Sequence, residues 1–176
     1  MIRLRPFSEP DAAAVLSWCR DEETFFLWTA GVLGDFPLTE AGFRKTGDLM
    51  RFTALEEKNV VGFFTARNPK ETLDELRFGF IIVAPDRRGT GVGKEMLRLG
   101  LSYAFGPYRA DRVTLGVFEE NRAAYFCYRA AGFTETGVRE AYSFRGETRF
   151  AIEMECRRPA SGASVGGFSP EALLGG

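Results

Sequence analysis

The sequence predicts an α/β protein built on a mixed, mostly antiparallel central sheet, and three observations predict it. The apolar run Leu76 to Val83 reads as a strand buried on both faces. The glycine-rich stretch Arg87 to Lys94 follows it and opens a helix with Met96, Leu97, Leu101, Ala104 and Phe105 on one face. Further strands come from alternating stretches such as Val113, Leu115 and Val117.

The other elements follow in order. Ile2 to Arg5 is a short strand ended by Pro6, and Ser8 starts a helix whose apolar face carries Ala12, Val15, Leu16 and Cys19. Asp11, three residues after Ser8, completes a pattern like a capping box. A second helix covers Glu22 to Trp28, and Thr39 caps a third that runs to about Gly47. Arg51 to Leu55 and Val60 to Ala66 form a hairpin, and Asn68 to Asp74 is a polar turn. Gly106-Pro107 ends the helix after the glycines, and Asn121 caps another that stops near Gly132. Strands near Phe133 to Val138 and Phe150 to Met154 close the domain, and Tyr142 to Phe144 pairs through a turn at Gly146. Residues 1–158 are expected to be one domain, and 159–176 a tail rich in Gly, Ser, Ala and Pro.

Composition excludes several chemistries. Net charge is -1, with acids and bases mixed along the chain, so no basic stripe marks a nucleic-acid binder. No apolar run approaches the ~20 residues of a membrane span, and a cytoplasmic protein is expected. The three cysteines, Cys19, Cys127 and Cys156, are widely spaced, so neither a disulfide framework nor a zinc site is expected. The chain contains 0 histidines, which removes Ser-His-Asp hydrolysis and every histidine-based metal site. No metal is expected.

The turn Arg87 to Lys94 carries the main functional signal. Glycines between a strand and a helix start let backbone N–H groups approach an anion, and the helix dipole adds to this. Arg87, Arg88 and Lys94 give the turn a local basic character. A nucleoside-triphosphate loop would need glycine at position 88 and Ser or Thr after the lysine, where Arg88 and Glu95 stand. A dinucleotide fingerprint would need glycine at position 94, which is Lys94. Both fail, and a tight turn without a ligand remains the plain alternative.

Arg88-Gly89-Thr90-Gly91-Val92-Gly93 resembles the R-x-x-G-x-G signature of the GNAT acetyltransferase superfamily. Downstream, Asn121, Ala124, Tyr128, Gly132 and Phe133 resemble its second signature, at the expected distance. The resemblance implies a sheet whose central strands splay apart around acetyl-CoA. It places the backbones of Ile81, Ile82 and Val83 along the pantetheine arm. The amides of Arg88, Gly89, Thr90, Gly91, Val92, Gly93 and Lys94 then face the pyrophosphate. Asn121 is implied as a cofactor contact and also reads as a plain N-cap.

The same resemblance makes Tyr128 the general acid that protonates the departing thiolate, with Tyr125 as the fallback. A phenol with a reference pKa of about 10 suits that task. The implied activity is direct acetyl transfer to a primary amine, on a small molecule or a protein N-terminus. The alternative is a non-catalytic module that binds or senses acyl-CoA, and another acyl donor stays open. Glu75, Glu119 and Glu120 are candidate bases, with none assigned. Trp28 and Tyr142 are candidate acceptor contacts, within or after an aromatic-rich segment holding Phe25, Phe26 and Phe36, whose plainer reading is core between the first helices and the sheet. The Leu4-Arg5-Pro6 start loosely resembles enzymes acetylating ribosomal-protein N-termini, and homodimers are common in the superfamily.

Overall fold

The strand-forming stretches assemble, in a computed structural model that describes residues 1–72 and 74–160, into one seven-stranded sheet. The strands are β1 (Ile2–Pro6), β2 (Met50–Glu56), β3 (Asn59–Arg67), β4 (Glu75–Val83), β5 (Arg112–Phe118), β6 (Thr134–Phe144) and β7 (Glu147–Arg157). Their order is β1-β2-β3-β4-β5-β7-β6. Every neighbouring pair is antiparallel except β4 and β5. That parallel pair needs a crossover, and α4 (Val92–Phe105) supplies it. Of the expected tail, only Pro159 and Ala160 fall among the described residues.

Helix α4 and α5 (Arg122–Ala131) cover one face of the sheet. Their core joins Met96, Leu97, Leu101 and Tyr128 to Phe64, Phe78, Leu115 and Met154. The close approach of α4 depends on Gly100, because a Cβ there would stand 2.9 Å from Phe64 and 3.1 Å from Phe78. On the other face, α1 (Ala12–Leu16), α2 (Glu22–Thr29) and α3 (Glu40–Arg44) are short. Val15, Trp18 and Phe43 pack there on Phe63, Ile82 and Ala84. A third cluster stacks Phe26 of α2 on Phe144 at 4.2 Å and on Phe118 at 4.9 Å.

Several elements differ from the sequence expectation. The first helix does not reach Cys19, because the Ser17 hydroxyl turns back to the Ala14 carbonyl at 2.6 Å and ends it. The third stops at Arg44, where the Thr46 hydroxyl bonds the Phe43 carbonyl. The two strands expected around Val138 and Tyr142 are one eleven-residue strand, β6, whose register shifts at a bulge containing Gly137. In β4 only Glu75, Leu76, Phe78 and Ile82 are buried, so the strand is not covered on both faces.

Asp11 ties the first helix to the sheet. Arg5 holds its carboxylate with two bonds, of 2.7 and 2.8 Å, the Ser8 N–H donates at 3.0 Å, and the Thr53 hydroxyl at 2.9 Å. Burial alone would raise the Asp11 pKa, but these donors outweigh it and bring it down to about 2. A depressed carboxylate stabilises the fold above its unfolded pKa of about 4 and loses that contribution as pH falls toward 2. Asp11→Ala is expected to cost about 3 kcal/mol in urea unfolding at pH 7. The difference from wild type should shrink between pH 4 and pH 2.

Candidate active site at a fork in the sheet

Strands β4 and β5 pair only at Glu75 with Arg112, Leu76 with Val113 and Arg77 with Thr114. Beyond those rows they part, so β4 from Phe78 to Val83 borders an opening in the sheet. A bulge on the other side of β4 sharpens this bend. Phe63 pairs Ile82 and Thr65 pairs Gly79, leaving Phe80 and Ile81 opposite Phe64 alone. Phe80 takes φ of 46°, a left-handed conformation that an aromatic residue rarely adopts. This bulge had no signal in the sequence.

The open arm of β4 runs into the glycine turn. Gly89 and Gly91 take φ of 75° and 91°, and a Cβ at either would meet nothing within 4 Å. The turn is therefore an open concavity at the start of a fourteen-residue helix, which fits a pyrophosphate held by amides. The side chains depart from the basic pocket expected of them. Arg87 pairs with Glu56 of β2 at 2.6 Å. Arg88 turns back, donating to the Val83 carbonyl at 3.1 Å and to the Trp18 carbonyl at 3.5 Å. Lys94 is exposed in the first turn of α4 and makes no ion pair among the described residues. Thus the arginines are held by protein groups, and Lys94 is the cation of the turn without such a partner among the described residues.

Helix α5 borders the same fork. Its Asn121 side chain accepts the Ala124 N–H at 3.4 Å, which is the capping role, and Gly132 ends it in the left-handed region. The Cys127 sulfur lies beside Gly93 and Val83, since a Cβ built on Gly93 would approach it to 3.1 Å. Tyr128 is 7% exposed, packs near Phe133, and its hydroxyl makes no hydrogen bond among the described residues. Burial, with a smaller effect of Cys127, pushes the phenol well above its ordinary value, so it stays protonated at neutral pH. Tyr125 is engaged instead, donating to Glu135 at 2.5 Å.

The opposite face of the fork carries the acceptor candidates. Tyr142 packs edge-on against Phe118 with centroids 5.3 Å apart. Burial raises its pKa, as does the Glu140 carboxylate beside its hydroxyl. Trp28, on α2, is partly buried against the cluster of Val15, Trp18 and Phe63, with its indole N–H buried and unpaired among the described residues. The candidate bases are all committed to cations. Glu75 is buried and bound by Arg112 at 2.6 Å and Lys70 at 3.2 Å. Glu119 pairs with Arg139, and Glu120 with Arg149. Arg77, which had no signal in the sequence, reaches from β4 across β5 to Glu153 of β7 at 2.7 Å.

Lys94→Gln is expected to weaken coenzyme A binding by about fivefold, whereas Arg87→Gln changes it less than twofold. Gly91→Glu should abolish binding while leaving the circular-dichroism spectrum intact. Isothermal calorimetry checks all three variants.

The comparisons with known proteins agree with this geometry. The profile described as Acetyltransferase (GNAT) family matches residues 9–133. The mycothiol acetyltransferase of Rhodococcus jostii (strain RHA1) is 30% identical over 139 residues, which is 74% of this chain and 42% of that protein. The chain thus spans about two-fifths of the length of the curated relatives it matches. Among solved structures, the spermidine N-acetyltransferase of Vibrio cholerae with CoA and spermine superposes with a TM-score of 0.73 at 20% identity. That match covers 89% of this chain and 95% of the other. AAC(6')-Ib with ribostamycin and coenzyme A gives 0.69 at 18% identity, covering 89% and 93%. With its sheet, its glycine turn and its second signature in place, this chain belongs to the GNAT acetyltransferase family.

Proposed function

We propose that the chain transfers an acetyl group from acetyl-CoA to a primary amine, directly and within a ternary complex. The observation that carries this reading is the fork, which opens beside the helix start that can hold a pyrophosphate. Acetyl-CoA supplies the activated acyl group as a thioester. The amides from Arg88 to Lys94 would hold its pyrophosphate, and the arm Ile81 to Val83 would line its pantetheine. The backbone at the Phe80 bulge supports the carbonyl end.

Tyr128 is the proton donor in this scheme. Its phenol is protonated at neutral pH and its hydroxyl has no hydrogen-bond partner among the described residues, so it can donate to the departing thiolate. A covalent route through cysteine is disfavoured by the thiols themselves. Burial raises the pKa of Cys127, against a small opposing effect of Lys94, and brings Cys19 up to about 11. The acceptor is an amine on a small molecule or a peptide N-terminus. The structural neighbour named as a spermidine N-acetyltransferase supports an amine as the nucleophile.

Tyr128→Phe is expected to lower kcat for thiol release by about 10²-fold while leaving the CoA Kd within twofold. A panel of amines with acetyl-CoA and a thiol reagent measures it. CoA binding without release for any amine, and with no effect of the substitution, would instead mean a binding or sensing module.

A further inference from the structure

On the acceptor side of the fork, Arg77, Gly116, Glu140, Tyr142 and Glu153 line a small, partly open cavity of about 40 Å³, with Glu140 on its exposed side. A water needs about 10–15 Å³ by this measure, so the space admits roughly three waters or one ammonium head with its first methylene. Arg77 and Glu153 neutralise each other across it at 2.7 Å. The Arg77 guanidinium lies over Gly116, where a Cβ would stand 3.3 Å from its terminal nitrogen. This leaves one uncompensated charge in the lining. Glu119, Glu120 and Glu153 each have an arginine, while Glu140 has no cationic partner among the described residues.

The rim has the same sign. Among the described residues, Glu22, Glu23, Glu120 and Glu147 pair only with Arg145 and Arg149, where α2 meets the turn between β6 and β7. The Tyr142 hydroxyl beside Glu140 offers a second oxygen within the cavity. A carboxylate and a phenol converging on a small space, next to an arginine already satisfied, match an ammonium group and repel an anion.

We propose that this cavity binds a second ammonium group of the acceptor, making the preferred acceptor a diamine or longer polyamine. The inference rests on the acyl-transfer reading for what happens to the other amine. One ammonium donates to Glu140 and to the Tyr142 oxygen, and the other end of the molecule extends toward the bulge at Phe80. An amine with a single charge fills only one of the two positions.

The test uses the full chain saturated with CoA, titrated by calorimetry with 1,4-diaminobutane and with butylamine. Wild type is expected to bind the diamine about tenfold more tightly, the scale of one hydrogen-bonded charge pair. Glu140→Gln, a substitution on an exposed strand that leaves the fold unstressed, should bring the ratio close to one. Tyr142→Phe should reduce it by a smaller factor. Equal binding of the two amines by wild type, or a full preference in Glu140→Gln, would overturn the proposal. A thiol-release assay with the same amines separates the two claims. A binding preference without release keeps the cavity and defeats the transfer reading.

Discussion

The parting of β4 from β5 is the constraint on which the rest of the structure depends. Two strands paired in parallel along their whole length would close the sheet and bury its middle. Here pairing ends after Arg77 and Thr114. The closed end of the fork is held by charges rather than by further rungs. Arg112 bridges Glu75 and Glu155, and Arg77 reaches Glu153. Partly buried pairs of this kind are costly to break singly, because the remaining charge loses its partner. They fix where the strands stop touching. The other arm is held by the bulge at Phe80 and by Arg88, which grips the Val83 and Trp18 carbonyls.

The two faces of that opening differ in electrostatic character. On the side of α4 are helix N–H groups and Lys94, with the neighbouring arginines bound to protein groups. On the side of α2 and the turn between β6 and β7, carboxylates outnumber arginines. In the proposed reaction, an anionic donor and a cationic acceptor would therefore meet potentials of opposite sign on opposite faces. Between them lie groups that are neutral at physiological pH, namely the Tyr128 phenol and the Cys127 thiol. With 0 histidines in the chain, no imidazole takes part in proton transfer.

The glycine turn and the two ends of α5 were legible in the sequence because their determinants are local. The glycines need positive φ at fixed places, and the Asn121 cap and Gly132 stop are set by the residues themselves. The mixed, mostly antiparallel sheet followed from the succession of elements, while the order of its strands and the single parallel pair did not. What was hidden depends on distant partners. Nothing near Arg88 in sequence shows that its guanidinium meets Trp18, seventy residues away. Nothing near Arg77 points to Glu153. The single long β6 was concealed by Gly137, which reads as a strand end and serves as a bulge. Phe80 reads as one more apolar residue in a run, yet its backbone bends the strand.

The chain order of these parts has a consequence for how such a protein can diverge. The residues proposed to face the donor are drawn from one stretch, from Phe80 through Tyr128. Those proposed to face the acceptor come mostly from outside it, from α2 and from β6 and β7, with Arg77 just before the stretch and Gly116 and Glu120 within it. Changes in helix length at the front, or in the turn at Arg145-Gly146, alter what is acylated without moving the residues that hold the acyl carrier. One half of the domain can be inherited as a fixed tool while the other is reshaped for a new nucleophile.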